Sequence, residues 1–318
     1  MTYPEPRARR RLRRFVVGVV LLAIMGGTLG TFLVVTDTFG AGEGWQSVLN
    51  RFDRFLAGPP PDRPTLGTVR ITEPPETPSP TPEITPVPVT PAPGATPTPT
   101  PAPTPTPTPR PKRVPMDVDI VTNHKAVFAT QAHKDWCAPA GVQMVLAVLG
   151  LVDTSEATQN EIAGRVRRWE SYDDSHNGDW GPAAMALALK AYGAPGYEIR
   201  AFETRSGALR DAAKAIQETN SPVILLAWRG AHTWVMTGYR ADSDPAIFRN
   251  AKMHGAYILD PWYPRISSIW GRSDPPGTFQ DADEMQRNFL EWKRPEGSYP
   301  DRDGLYITVA PTIPVEAR

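Results

Sequence analysis

Cysteine is almost missing from these 318 residues: Cys137 stands alone, so no intramolecular disulfide can form and no multi-cysteine metal site can be built. Histidine is scarce too. His124, His133, His176, His232 and His254 show no HExxH or other close ligand spacing, so no metal is expected. The formal net charge is +0, but residues 1–14 carry six Arg against one Glu, whereas residues 116–318 carry 21 Lys and Arg against 26 Asp and Glu. The bulk of the chain therefore offers no basic surface for nucleic acid. Large apolar side chains are nearly absent from Pro59 to Pro115, a 57-residue stretch holding 22 of the 37 prolines, which excludes one continuous domain.

The long apolar run that does exist is Phe15–Val35, 21 residues without a charge and long enough to cross a hydrocarbon core of about 30 Å as one transmembrane helix. Its length exceeds the apolar region of a cleaved signal peptide, so an uncleaved anchor is expected. Arg7, Arg9, Arg10, Arg11, Arg13 and Arg14 precede it, and the positive-inside rule keeps residues 1–14 in the cytoplasm. Everything after Val35 is then extracytoplasmic on a single-pass cell-membrane protein. In the juxtamembrane segment 36–58, Trp45, Val48, Leu49, Phe52, Phe55 and Leu56 recur at helical spacing. That pattern suits a helix on the outer membrane surface, or one packed on its own domain or a partner. Residues 59–115, with TPTPTPAPTPTPTPRPKR near their end, read as a disordered Pro/Thr-rich stalk of polyproline II character, reaching at most roughly 180 Å.

Residues 116–318 suffice for one domain with its own core. Helical patterns fall at 138–149, 156–169, 182–192, 206–218 and, more weakly, 281–292; strand-like runs are Val223–Trp228, His232–Tyr239, Tyr257–Asp260 and Leu305–Val309. Helices come first and strands mostly later, without helical crossovers between them. An antiparallel sheet in an α+β domain is the expected architecture.

Cys137 stands at the start of the first of these helices, where partial positive charge lowers a thiol's pKa. A small buried hydrophobe is the alternative for a lone cysteine. His232 opens one strand and Asp260 closes another; if the two strands pair antiparallel, those ends become neighbours. The carboxylate could then orient one imidazole nitrogen while the other faces the thiol, a nucleophile–base–orienter arrangement.

With those positions in view, QAHKDWCAPAGVQMVL (131–146), AHTWVMTGY (231–239) and ILDPW (258–262) resemble papain-like cysteine peptidases of the bacterial cysteine peptidase family 39-like group. The resemblance covers about 116–310. It implies a papain-like fold with an N-terminal central helix and a C-terminal antiparallel sheet, Cys137 as nucleophile, His232 as base, Asp260 as orienter, and Gln131 donating to the oxyanion beside the Cys137 backbone N–H. Ala138 replaces the glycine that follows the nucleophile in many relatives. The long interval from His232 to Asp260 implies an inserted loop near 241–254, with Asp242 and Asp244 as substitute orienters. No cofactor is implied, and since these residues show no transporter module, processing of leader peptides during export is not expected from the resemblance.

The expected substrate is a peptide or protein, cleaved through an acyl-enzyme. A cell-wall peptide hydrolase or amide transferase with the same triad, and an inactive tethered binding module, are the alternatives. Trp136, His176, Asp179 and Trp180 are the candidate substrate contacts; for the last three, a capped helix start with a packed tryptophan is the competing account.

Overall fold

The computed structural model describes residues 48, 49, 52, 55–72, 111–176, 180–294 and 296–315. The basic segment 1–14, the apolar run 15–35 and Asp179 lie outside the described residues, as does the stalk from 73 to 110. Among the described residues, no helix is long and apolar enough to cross a membrane.

The domain is mixed α+β around a mainly antiparallel eight-stranded sheet. Its strands are β1 (Thr68–Ile71), β2 (Met116–Asp119), β3 (Tyr197–Phe202), β4 (Val223–Leu226), β5 (His232–Ala241), β6 (Met253–Leu259), β9 (Thr278–Asp281) and β10 (Tyr306–Pro311). They are ordered β1-β3-β10-β4-β5-β6-β9, with β2 pairing β5 beside this path. A small hairpin of β7 (Ile266–Ser267) and β8 (Gly271–Arg272) stands apart. The longer helices are α1 (Cys137–Val148), α2 (Glu156–Gly164), α3 (Pro182–Ala191), α4 (Arg205–Thr219) and α5 (Ala282–Asn288).

Burial on both sheet faces explains why the central strands read as continuous apolar runs. In β4, Ile224 and Leu226 join the core shared with α1 and α3, while Val223 and Leu225 join the core shared with α4 and α5. α1 is buried from Ala138 to Leu146 and lies so close to β5 that a Cβ at Gly141 would sit 2.4 Å from Thr233 Cγ2. This approach sets the start of α1 over the start of β5. The β5–β6 pairing aligns Val235 with Leu259, bringing the first residue of β5 beside the residue just after β6. Residues 242–252 form the connection at the far end of that hairpin.

The stalk boundaries require correction. Residues 59–72 do not belong to a free spacer, because β1 pairs in parallel with β3 at the sheet edge. Thr68–Ile71 (TVRI) is a short β-prone run inside a proline-rich composition, and composition averaged over 59–115 conceals it. The juxtamembrane segment is helical at 48, 49, 52 and 55–57. Val48, Phe52, Phe55 and Leu56 are exposed, so those side chains do not pack on the domain.

Candidate active site

Cys137 is the first residue of α1 and is half-buried as a residue. The helix start is left open. Trp136 supplies no side-chain cap, the Ala140 N–H already binds the Trp136 carbonyl, and Pro139 has no N–H. The N–H groups of Cys137 and Ala138 therefore have no acceptor within the helix and concentrate its positive end at the thiol. The Sγ atom lies 3.9 Å from the Ala231 carbonyl.

His232 and Asp260 meet as the strand register requires. His232 Nε2 donates to Asp260 Oδ1 at 2.7 Å, and both side chains are buried. The same carboxylate oxygen accepts from the Trp262 N–H at 2.9 Å, which fixes its orientation. With Nε2 committed to the carboxylate, Nδ1 is left for the thiol. Burial alone would push the Cys137 pKa up, but the hydrogen bond and charge of His232, with smaller help from Thr233, hold it below the ordinary thiol value. Burial works to lower the His232 pKa; the charge and hydrogen bond of Asp260, then the thiol, outweigh it and raise it to about 9. Both shifts favour thiolate and imidazolium together, and such a coupled pair titrates as a unit. Asp242 and Asp244 take no part: Asp242 accepts from Ser243 and the Lys252 N–H, and Asp244 from Gln217 and the Ala246 N–H.

Gln131 is placed differently from expectation. Its Nε2 donates to the carbonyls of His133 and Lys134, both at 2.8 Å, so both amide hydrogens are spent on the loop leading to Cys137. The reversed amide would press Oε1 against two carbonyl oxygens, which excludes the orientation an oxyanion donor needs while this turn persists. Two further buried glutamines complete the support. Gln159 accepts from the Ala132 N–H at 2.7 Å and donates to the Thr130 carbonyl and to Gln143 Oε1, while Gln143 donates to the carbonyls of Asp153 and Ser155. The lone polar residue in the apolar run APAGVQMVLAVL was a visible signal for Gln143; nothing local marked Gln159.

Trp228 was also not anticipated. Its ring stacks on His232 with centroids 3.9 Å apart and planes at 17°, and Trp270 covers its other face at 5.8 Å. Trp228 and Arg229 both adopt left-handed backbone, φ 51° and 61°, in the turn between β4 and β5. Such strain persists only when surroundings impose it. Here Asn288 accepts from the Trp228 indole at 3.1 Å, the Arg229 carbonyl accepts from the Lys293 N–H, and Gly230 lies against Trp292.

The candidate substrate contacts separate. Trp136 adjoins Cys137 and packs edge-on against His133 at 4.1 Å. Trp180 packs on Trp169, and His176 lies between Tyr172 and Tyr299, so these two fill side-chain contacts of their own loop. That loop is capped by Asp174, which accepts from the Ala183 and Ala184 N–H groups and pairs with buried Arg302 at 3.0 Å. A cavity of about 290 Å³ opens instead beside Asp260, lined by Trp228, Trp234, Trp270, Gln280 and Asn288 among others. No group of three or more His, Cys, Asp or Glu suited to a metal occurs among the described residues.

A cysteine at an open helix start beside a buried histidine–carboxylate pair is an arrangement that cysteine-type peptidases use. Residues 123–282 match the Peptidase_C39 like family, and the chain belongs to that family. A solved structure of a double glycine motif protease from an AMS/PCAT transporter, in complex with the leader peptide, aligns with 62% of this chain and 99% of its own, at 17% identity and a TM-score of 0.30. Comparison with curated proteins finds no match.

Proposed function

We propose that this chain is a membrane-anchored, extracytoplasmic cysteine peptidase that hydrolyses peptide bonds through Cys137, His232 and Asp260. The observation that carries the reading is the buried 2.7 Å contact between His232 and Asp260, with the other imidazole nitrogen left for a thiol whose pKa is lowered. The Cys137 thiolate attacks the scissile carbonyl carbon, and the C=O electron pair moves onto oxygen. The N–H groups of Cys137 and Ala138 receive that oxyanion, since the helix leaves them without acceptors. Imidazolium His232 gives its proton to the leaving amine as the C–N bond breaks, leaving an acyl-enzyme. Neutral His232 then takes a proton from water, the hydroxide adds to the thioester carbon, and the thiolate departs. Gln131 acts on this chemistry as a positioning residue, through the loop that presents Cys137.

The anchor is the 15–35 run, with the Arg cluster in the cytoplasm. The exposed Val48, Phe52, Phe55 and Leu56 support a juxtamembrane helix lying on the outer leaflet, because an apolar face so near an anchor meets lipid first. Purified full chain should cleave a susceptible peptide, and Cys137→Ala and His232→Ala should each abolish turnover while leaving the thermal unfolding transition in place. Full hydrolysis by Cys137→Ala would remove the mechanism.

A further inference from the structure

Both ends of the Pro/Thr-rich segment are fixed to the same domain. On its C-terminal side, β2 pairs with β5, and Arg113 donates to Ser243 and Asn250. On its N-terminal side, residues 57–71 lie along the domain as a continuous strap. The carbonyls of Ala57 and Pro59 accept from the Arg167 guanidinium, and the Pro61 carbonyl accepts from the Tyr172 N–H at 3.0 Å. Arg63 donates to the carbonyls of Glu170 and Arg167, while its own carbonyl accepts from Ser171 at 2.7 Å. Thr68 donates to Asp301 at 2.6 Å and accepts from Arg302, and four residues of β1 pair with β3.

We propose that residues 57–71 are a latch that closes residues 73–110 into a loop, so that the peptidase domain is held at the membrane surface rather than at the end of a stalk. The membrane part rests on the anchored reading above; the loop closure does not. Chain length sets the contrast. With the strap docked, residues 36–56 are the whole tether, at most about 70 Å even if fully extended. With it released, residues 36–115 could reach roughly 250 Å in polyproline II form. The strap also begins just after the exposed Val48, Phe52, Phe55 and Leu56, which continues the attachment from membrane to domain. A tethered strap further benefits from an effective concentration on the order of mM. One chain thus holds two working distances, set by whether four strand pairs and a row of arginine contacts are made.

The test uses the full chain in membranes, with Cys137→Ser removing the native thiol, Val69→Cys and Arg200→Cys placed opposite each other in the β1–β3 register, and a specific protease site inserted between Thr90 and Pro91. The pair should oxidise to a disulfide, since directly opposed strand residues have suitable Cα separation. After cleavage the fragments should run as one band without reductant and two with it, and the domain should stay in the membrane pellet. An offset pair, Val69→Cys with Glu198→Cys, should fail to close, which shows that the docked register and not mere tethering is read. If the matched pair stays as open as the offset pair and cleavage sends the domain to the supernatant, the latch is overturned. Uncleaved protein in the supernatant would instead overturn the membrane placement alone, with the strap still read from the gel.

Discussion

The imidazole of His232 is charged by its surroundings against the tendency of burial, and Asp260 is the main counterweight. Asp260→Asn removes that charge while keeping a hydrogen-bond acceptor. The raised pKa keeps imidazolium present up to about pH 9, so kcat/KM, which needs thiolate and imidazolium together, should fall on the alkaline side near that value. In Asp260→Asn the alkaline limb should move down toward the ordinary imidazole range near 6.5, with reduced activity at neutral pH. An unmoved limb would take Asp260 out of the pair. Gln131→Ala should act differently, because it leaves two loop carbonyls without their donor, a loss of about 1–3 kcal/mol in stability. Thermal unfolding measured beside turnover separates the roles: lowered kcat at unchanged Tm would restore the oxyanion donor that the sequence suggested. The residues Cys137, His232 and Asp260 could be singled out because helix start and strand ends are visible in the sequence. The resemblance implies an oxyanion donor at Gln131, whereas its amide is engaged by two loop carbonyls, a contact with no mark in the sequence; Trp228 is hidden because a left-handed turn at non-glycine residues has no compositional mark.

The central helices and strands follow from patterns that tertiary contact reinforces. APAGVQMVLAVL became α1 because every side of it is buried, and Pro182 and Gly193 bracket α3 as an N-terminal proline and a left-handed glycine should. β1, β3 and β9 were illegible, the first two pairing far along the chain and the last being short and partly exposed. The contact that joins helix to strand is Gly141 on Thr233. Gly141→Ala should cost about 1–3 kcal/mol, despite alanine's better helix propensity, because the added carbon meets a buried β-branched side chain. It should also lower activity by moving Cys137 relative to His232. Adding Thr233→Ser removes the methyl in conflict and should recover much of both losses; simple additivity of the two substitutions would show that the contact does not couple them.

For the whole molecule, the strap changes what a cut in the Pro/Thr-rich region does. Lys112 is exposed, so trypsin added to intact cells should nick the chain there in the proposed topology, yet the docked strap should retain the domain. Release should need cleavage nearer the anchor, at Arg51 or Arg54, and protection of the whole chain until lysis would reverse the orientation. Whether His232 holds Cys137 as a thiolate is read from the pH dependence of iodoacetamide alkylation of the full chain, with the adduct located at Cys137. Alkylation should stay fast well below pH 8.5, the ordinary thiol midpoint, and His232→Ala should return the midpoint to that value or higher. A wild-type midpoint at or above 8.5, unchanged by His232→Ala, would contradict a thiolate held by His232.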